Sequence, residues 1–110
     1  MTQSRKRRSD RNHVLYMIEN TQTGEQYIGI TVLSFRGNAK RTLHRRYQKH
    51  VQRALNEDKN WALCDSIREY GADAHEYTVL EIVRGKKPAH ARETELINTY
   101  QPQLNTFGVR

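Results

Sequence analysis

Arg46 and His50 stand four residues apart in a segment of helical periodicity, and Glu93 interrupts the apolar stripe of another. Side chains four apart share one side of a helix. A guanidinium that can grip a phosphate and an imidazole that can carry a proton therefore sit on one shoulder of a buried stripe, held by the core yet free to reach a ligand. Glu93 falls on one helix face with Ala89, Leu96, Ile97 and Tyr100, while Glu95 points away. A carboxylate out of water is costly unless it is paired or ligates a metal. Glu93 is therefore either in an ion pair with an arginine, which periodicity alone favours, or at a cation site, which the surrounding inventory of Arg, His and Tyr favours. Mg²⁺ commonly takes one or two carboxylates and completes its shell with water and substrate phosphate, so a single Glu suffices.

These groups need elements to hold them. Val14 to Ile18 and Gln26 to Ile30 are apolar, β-prone runs, and Asn20-Thr21-Gln22-Thr23-Gly24 between them is rich in turn residues, which predicts a hairpin. Alternation puts Val14, Tyr16 and Ile18 on one face and Leu15 and Met17 on the other, and Tyr27 shares a face with Gly29. Thr31 to Asn38 is a connection. A helix follows from Ala39 to Leu55, burying Leu43, Tyr47, Val51, Ala54 and Leu55. The next runs from Asn60, its expected N-cap, to Tyr70, with Trp61, Cys64, Ile67 and Tyr70 inward and Gly71 as its stop. Tyr77 to Val83 reads as a third strand, central or nearly so. Pro88 suits the first turn of a third helix ending at Tyr100 before Pro102. Tyr47, Tyr70 and Tyr100 are expected to pack, and His13, His44, His75 and His90 to be surface or packing residues.

At 110 residues the expectation is one folded domain, 13–110, behind a flexible basic arm, 1–12. The net charge of +7 points to a polyanion, because Lys and Arg release counterions condensed on phosphates. Its placement is uneven. Arg5, Lys6, Arg7, Arg8 and Arg11 in the arm face only Asp10, and from Arg36 to Arg53 the chain carries Arg36, Lys40, Arg41, Arg45, Arg46, Lys49 and Arg53 with no acid. Solvated helix faces usually mix signs, so this run reads as a phosphate-facing surface. Cys64 is alone, which excludes a disulfide framework or a Cys-rich zinc site and suits a small buried hydrophobe. With no apolar run of membrane-spanning length and no secretory segment, the expected location is intracellular, in the cytoplasm.

Val14-Leu15-Tyr16 and Tyr27-Ile28-Gly29, on either side of the turn, resemble the paired signature of the GIY-YIG nucleases of the homing or phage type. The resemblance extends through Arg46-Tyr47-Gln48-Lys49-His50, through Ala91-Arg92-Glu93, and through Pro102 to Asn105, covering His13 to about Asn105. It implies an α+β fold in which a three-stranded antiparallel sheet is flanked by helices. It further implies metal-dependent hydrolysis of DNA phosphodiesters, by nicking or double-strand cleavage, with Tyr16, Tyr27, Arg46, His50 and Glu93 as catalytic residues. Glu93 would hold a single Mg²⁺ or Mn²⁺ that polarises the phosphate, Arg46 would clamp that phosphate, and a motif tyrosine would orient or deprotonate the water with His50 in proton-relay reach. Val14 replaces the first motif glycine. Ile30 stands where members often carry a polar or basic residue. The long connection before Arg46 leaves Arg41 and Arg45 as its competitors.

Arg5, Lys6, Arg7, Arg8, Arg36, Lys40, Arg41, Arg45, Lys49 and Arg53 are then the DNA-binding set. Target choice falls to the arm, the Thr31 to Asn38 loop, a second copy of the chain, a partner protein or the shape of the DNA. Two other functions fit the composition: a basic nucleic-acid-binding module without turnover, and a small structural or assembly protein in which Glu93 is merely ion-paired.

Overall fold

The computed structural model describes residues 10–57 and 61–105. Arg5, Lys6, Arg7 and Arg8 of the expected arm lie outside the described residues. Strands β1 (Asn12–Asn20) and β2 (Gln26–Val32) form the expected hairpin. Its turn closes because Asn20 Oδ1 accepts from the backbone N–H groups of Gln22 and Thr23, and because Gly24 supplies a φ of 79°. Helices α1 (Ala39–Asn56) and α2 (Ala62–Tyr70) follow, then β3 (His75–Arg84) and α3 (Lys86–Tyr100).

The sheet is antiparallel in the order β2-β1-β3. Its centre is β1 and β3 is an edge, which corrects the expectation that the third strand is central or nearly so. The cause lies in burial. From Val14 to Ile18 every residue of β1 is buried or nearly so, whereas β3 alternates exposed and half-buried positions as an edge covered on one side does. A bulge between Leu15 and Tyr16 shifts the register against β3.

Two cores result. Val14, Tyr16 and Ile18 pack against Leu43, Tyr47 and Ala54 of α1 and Leu63, Cys64 and Ile67 of α2, while Leu15 and Ile28 pack against Leu96 of α3 on the other face. The sheet is thus flanked by helices on both sides, the α+β arrangement expected.

Four sequence expectations are corrected locally. Leu55 is 66% exposed, since the buried stripe of α1 ends at Ala54. Tyr100, expected to pack, is 47% exposed because α3 ends beyond the sheet. The residue at the N-cap of α2 is Trp61, which offers no side-chain cap, and Asn60 lies outside the described residues. Strand β1 begins at Asn12, two residues before the expected Val14.

The connection from β2 to α1 carries local strain. Phe35, Arg36 and Gly37 have successive φ values of 55°, 57° and 83°, closed by Gly37 N–H to Ser34 O and Asn38 N–H to Phe35 O. Left-handed backbone costs an ordinary L-residue about 1–2 kcal/mol. Asn38 then caps α1 by accepting from Arg41 N–H, and Thr42 ties the helix back to Ser34.

Candidate active site

The hydroxyl of Tyr16 is where the sequence elements meet. Tyr16 is fully buried on β1, and its oxygen lies 2.9 Å from His50 Nε2 and accepts from Arg46 Nε at 3.3 Å. The four-residue spacing on α1 thus delivers both groups to one atom. Tyr27, across the hairpin, places its ring centroid 6.2 Å from that of Tyr16 and 5.4 Å from that of His50.

Gly29 makes this crowding possible. It pairs with Tyr16 in the ladder, and a Cβ at that position would lie 2.5 Å from Tyr16 Cζ and Oη and 2.8 Å from Tyr27 Cε2. The glycine gives its space to two phenol rings.

Burial dominates the protonation states. It pushes the Tyr16 phenol above its ordinary value despite the opposing pull of Arg46 and a hydrogen bond with Tyr27. It pushes Tyr27 up as well, and the charge of Tyr16 adds to the shift while Arg46 opposes it. The Glu93 carboxylate acts on both phenols in the same upward sense, which puts its field over the tyrosine pair. His50 is pushed down to about 3, by burial first and then by the Arg46 and Arg53 cations. Its imidazole is therefore neutral near pH 7, and Nδ1 has no hydrogen-bond partner among the described residues. A buried ring nitrogen without a partner is uncommon outside functional sites.

Glu93 sits half-buried on α3, its side chain 19% exposed. Among the described residues its ion-pair partner is His90 at 3.5 Å; the arginine bridge considered from periodicity is not formed, because neighbouring Arg92 turns to Glu81 and Glu95. Burial raises the Glu93 carboxyl above its usual range, with His90 opposing. A desolvated carboxylate lacking a permanent cation suits a divalent ion. Among the described residues no cluster of three His, Cys, Asp or Glu exists, so an ion at Glu93 would take one protein carboxylate and fill its shell from water and substrate, within the habit of Mg²⁺.

Of the competing arginines, Arg46 is half-buried and touches Tyr16, whereas Arg41 and Arg45 are exposed. Arg41 lies over the Phe35 ring, and Arg45 lines a surface groove with Gln48, Lys49 and Gln52. Arg36, Lys40 and Lys49 are exposed, and half-buried Arg53 has its guanidinium 5.8 Å from the Trp61 ring centroid.

Asn105 has a structural part the sequence does not reveal. Its Oδ1 accepts from Ile28 N–H and its Nδ2 donates to Ile28 O, both at 2.7 Å, so one amide pairs with the outer edge of β2 as a neighbouring strand would. Ile28 lies between Tyr27 and Gly29. Asn105 therefore fixes the strand that carries half of the site. Only a resemblance at the chain's Pro-and-Asn segment pointed to it. His90, expected only at the surface or in packing, lies beside Glu93, and its spacing of three residues on the helix is the signal that could have placed it there.

Comparison with known proteins agrees with this geometry. Residues 12–106 match the family model of the GIY-YIG catalytic domain. The fold resembles a mutant of the catalytic domain of intron endonuclease I-TevI, with a TM-score of 0.66 and 19% identity over 87% of this chain and 91% of that one. It also resembles the catalytic domain of homing endonuclease I-TevI, with a TM-score of 0.63 and 20% identity over 89% and 98% of the two chains. No curated protein sequence matches the chain significantly.

Proposed function

The chain belongs to the family of GIY-YIG catalytic domains and is a phosphodiester endonuclease, and we propose from its own residues that it hydrolyses DNA with the aid of a divalent cation. The observation that carries this reading is the Tyr16 hydroxyl, bonded to both Arg46 and His50 beside Tyr27.

Hydrolysis requires a water to lose a proton as its oxygen attacks phosphorus and the ester oxygen departs with the bonding pair. In our reading Arg46 grips the phosphate and stabilises the charge that grows on it. The water's proton passes to the Tyr16 oxygen while the Tyr16 proton passes to His50 Nε2, so no free phenolate is needed from a group whose pKa burial has raised. That relay uses the tautomer with Nδ1 protonated, the nitrogen that lacks a partner. A bound phosphate adds negative charge near His50 and offsets the Arg46 and Arg53 fields that depress it. Tyr27, half-buried and next to Gly29, orients the water. Glu93 would hold Mg²⁺ or Mn²⁺, which when bound supplies Lewis-acid stabilisation of phosphate charge.

The exposed cations of α1 and its leading turn, Arg36, Lys40, Arg41, Arg45 and Lys49, contact backbone phosphates in this reading, with Arg53 at the far end of the helix. Arg5, Lys6, Arg7 and Arg8 join them as an affinity-giving arm on a catalytic domain from 13 to 110. No helix among the described residues is long and apolar enough to cross a membrane.

Incubation with supercoiled, nicked and branched DNA tests the proposal. Cutting that needs Mg²⁺, stops with a chelator and is lost in Arg46→Ala supports it; DNA bound tightly but never cut by the unmodified chain refutes it.

A further inference from the structure

The face of α1 turned from Arg46 carries an arrangement the hydrolytic site does not use. A groove of about 710 Å³ runs between the start of α1 and β3, lined by Lys40, Arg41, Leu43, His44, Tyr77 and Val79 among others, with no carboxylate in its wall. Tyr77 is fixed there twice over. Its hydroxyl is hydrogen-bonded to His44 Nδ1 at 2.6 Å, and its ring packs against Tyr47 with centroids 5.0 Å apart. Arg41 links this wall to the left-handed turn of Phe35, Arg36 and Gly37: Phe35 is 39% exposed, and the Arg41 guanidinium lies 4.9 Å from its ring centroid.

The inner wall of the groove is continuous with the core, through buried Leu43 and through Tyr77 and Val79 packed against it, whereas Phe35 stands outside it. Phe35 packs with neither hydrophobic cluster, and its turn holds a bulky residue in backbone that favours glycine. Strain of this kind persists where the surroundings impose it and tends to gather at ligand-binding segments. Aromatic faces beside a line of cations without acids are what an unpaired nucleotide needs, since bases stack on aromatic rings or guanidinium planes while phosphates seek Lys and Arg. A base-paired duplex offers phosphates, sugars and base edges but keeps its base faces stacked inside.

We propose that Phe35 and Arg41, with the groove behind them walled by Lys40, His44 and Tyr77, form a stacking site for an unpaired base of the DNA being cut. It follows that the protein prefers DNA carrying a single-stranded segment, such as a flap, gap or branch, over plain duplex. The inference rests on the nuclease reading for its substrate, but its test needs no cutting.

The test is binding of the full chain, without divalent metal, to a duplex carrying a short single-stranded flap with 2-aminopurine placed along it, beside the same duplex without the flap. The unmodified protein should quench one or two flap positions and prefer flapped over plain DNA. Phe35→Ala should lose that quenching and weaken flap binding about tenfold, as loss of one stacked base does. The same variant should leave plain-duplex binding unchanged, and Phe35→Tyr should restore flap binding. Arg41→Ala should weaken binding to both DNAs and lower the salt dependence of each. Equal affinity for the two DNAs, no quenching at any position, or an equal loss on both in Phe35→Ala would overturn the proposal. Binding and quenching as predicted by a protein that never cuts with Mg²⁺ would leave the stacking site standing and remove the catalytic reading.

Discussion

Gly29→Ala is the sharpest probe of how the site is assembled, because it adds one methyl group where two phenol rings already crowd. That methyl would lie 2.5 Å from Tyr16 Cζ and Oη and 2.8 Å from Tyr27 Cε2. Carbon atoms rest at about 3.5–4.0 Å, so the Tyr16 ring must retreat by about 1 Å. It has little room, being fully buried with its oxygen held by His50 and Arg46. Starting from 2.9 and 3.3 Å, such a shift takes at least the Arg46 contact beyond hydrogen-bonding range. Overpacking of this kind costs about 1–3 kcal/mol of stability, and a misplacement near 1 Å in a reacting group costs about 100-fold in rate. Urea unfolding measures the first, and single-turnover cleavage at saturating enzyme the second. Tyr16→Phe removes one of the two closest atoms, so Gly29→Ala should destabilise that background less than it does the unmodified protein. A Gly29→Ala protein that unfolds at the same urea concentration and loses no more than about threefold in rate, far less than the roughly 100-fold expected of misplaced groups, would refute the account of Gly29 as the space for two phenols.

Glu93→Gln should abolish metal-dependent cutting while DNA affinity stays equal or rises, because it removes a negative charge beside the phosphate; Glu95→Gln, at an exposed carboxylate ion-paired with Arg92, should be nearly silent in the same cleavage and binding assays. Arg46→Ala should lower the single-turnover rate by about 100-fold or more, whereas Arg45→Ala should chiefly weaken binding, and a reversal of those effects would move the phosphate clamp to Arg45. Buried His50 and His75 are both depressed below the ordinary histidine value, so the unfolded chain takes up protons that the folded one refuses. Their stability contribution is then complete above about pH 6.5 and is lost as pH falls toward the folded values, at about 1.4 kcal/mol per pH unit for each titrating histidine; urea unfolding between pH 7 and 5 should show a shallower dependence in His50→Gln. Asn105→Ala should lower turnover more than it lowers DNA affinity, because it frees the edge of β2 without touching a cation.

Much of the site could be read before folding because its parts are local. Arg46 and His50 meet by helical spacing alone, and Tyr16 and Tyr27 are brought together by a hairpin whose turn residues are explicit. What escaped reading depends on distant partners. The apolar run of β1 is compatible with either an edge or a centre, and only helices on both faces make it the middle strand. The sequence shows a glycine at position 29 but not the two rings that need its space. Leu55 and Tyr100 carry the right period and lie past the ends of what covers them. The left-handed turn at Phe35 and Arg36 contradicts residue preference, so no local rule could have found it.

The amide of Asn105 fastens to Ile28 across 77 positions of chain. During synthesis the hairpin and the basic helix α1 emerge early and local contacts form them quickly, whereas this clasp must wait for nearly everything between. The strand that carries Tyr27 and Gly29 is therefore completed last, after the elements between it and Asn105 have formed.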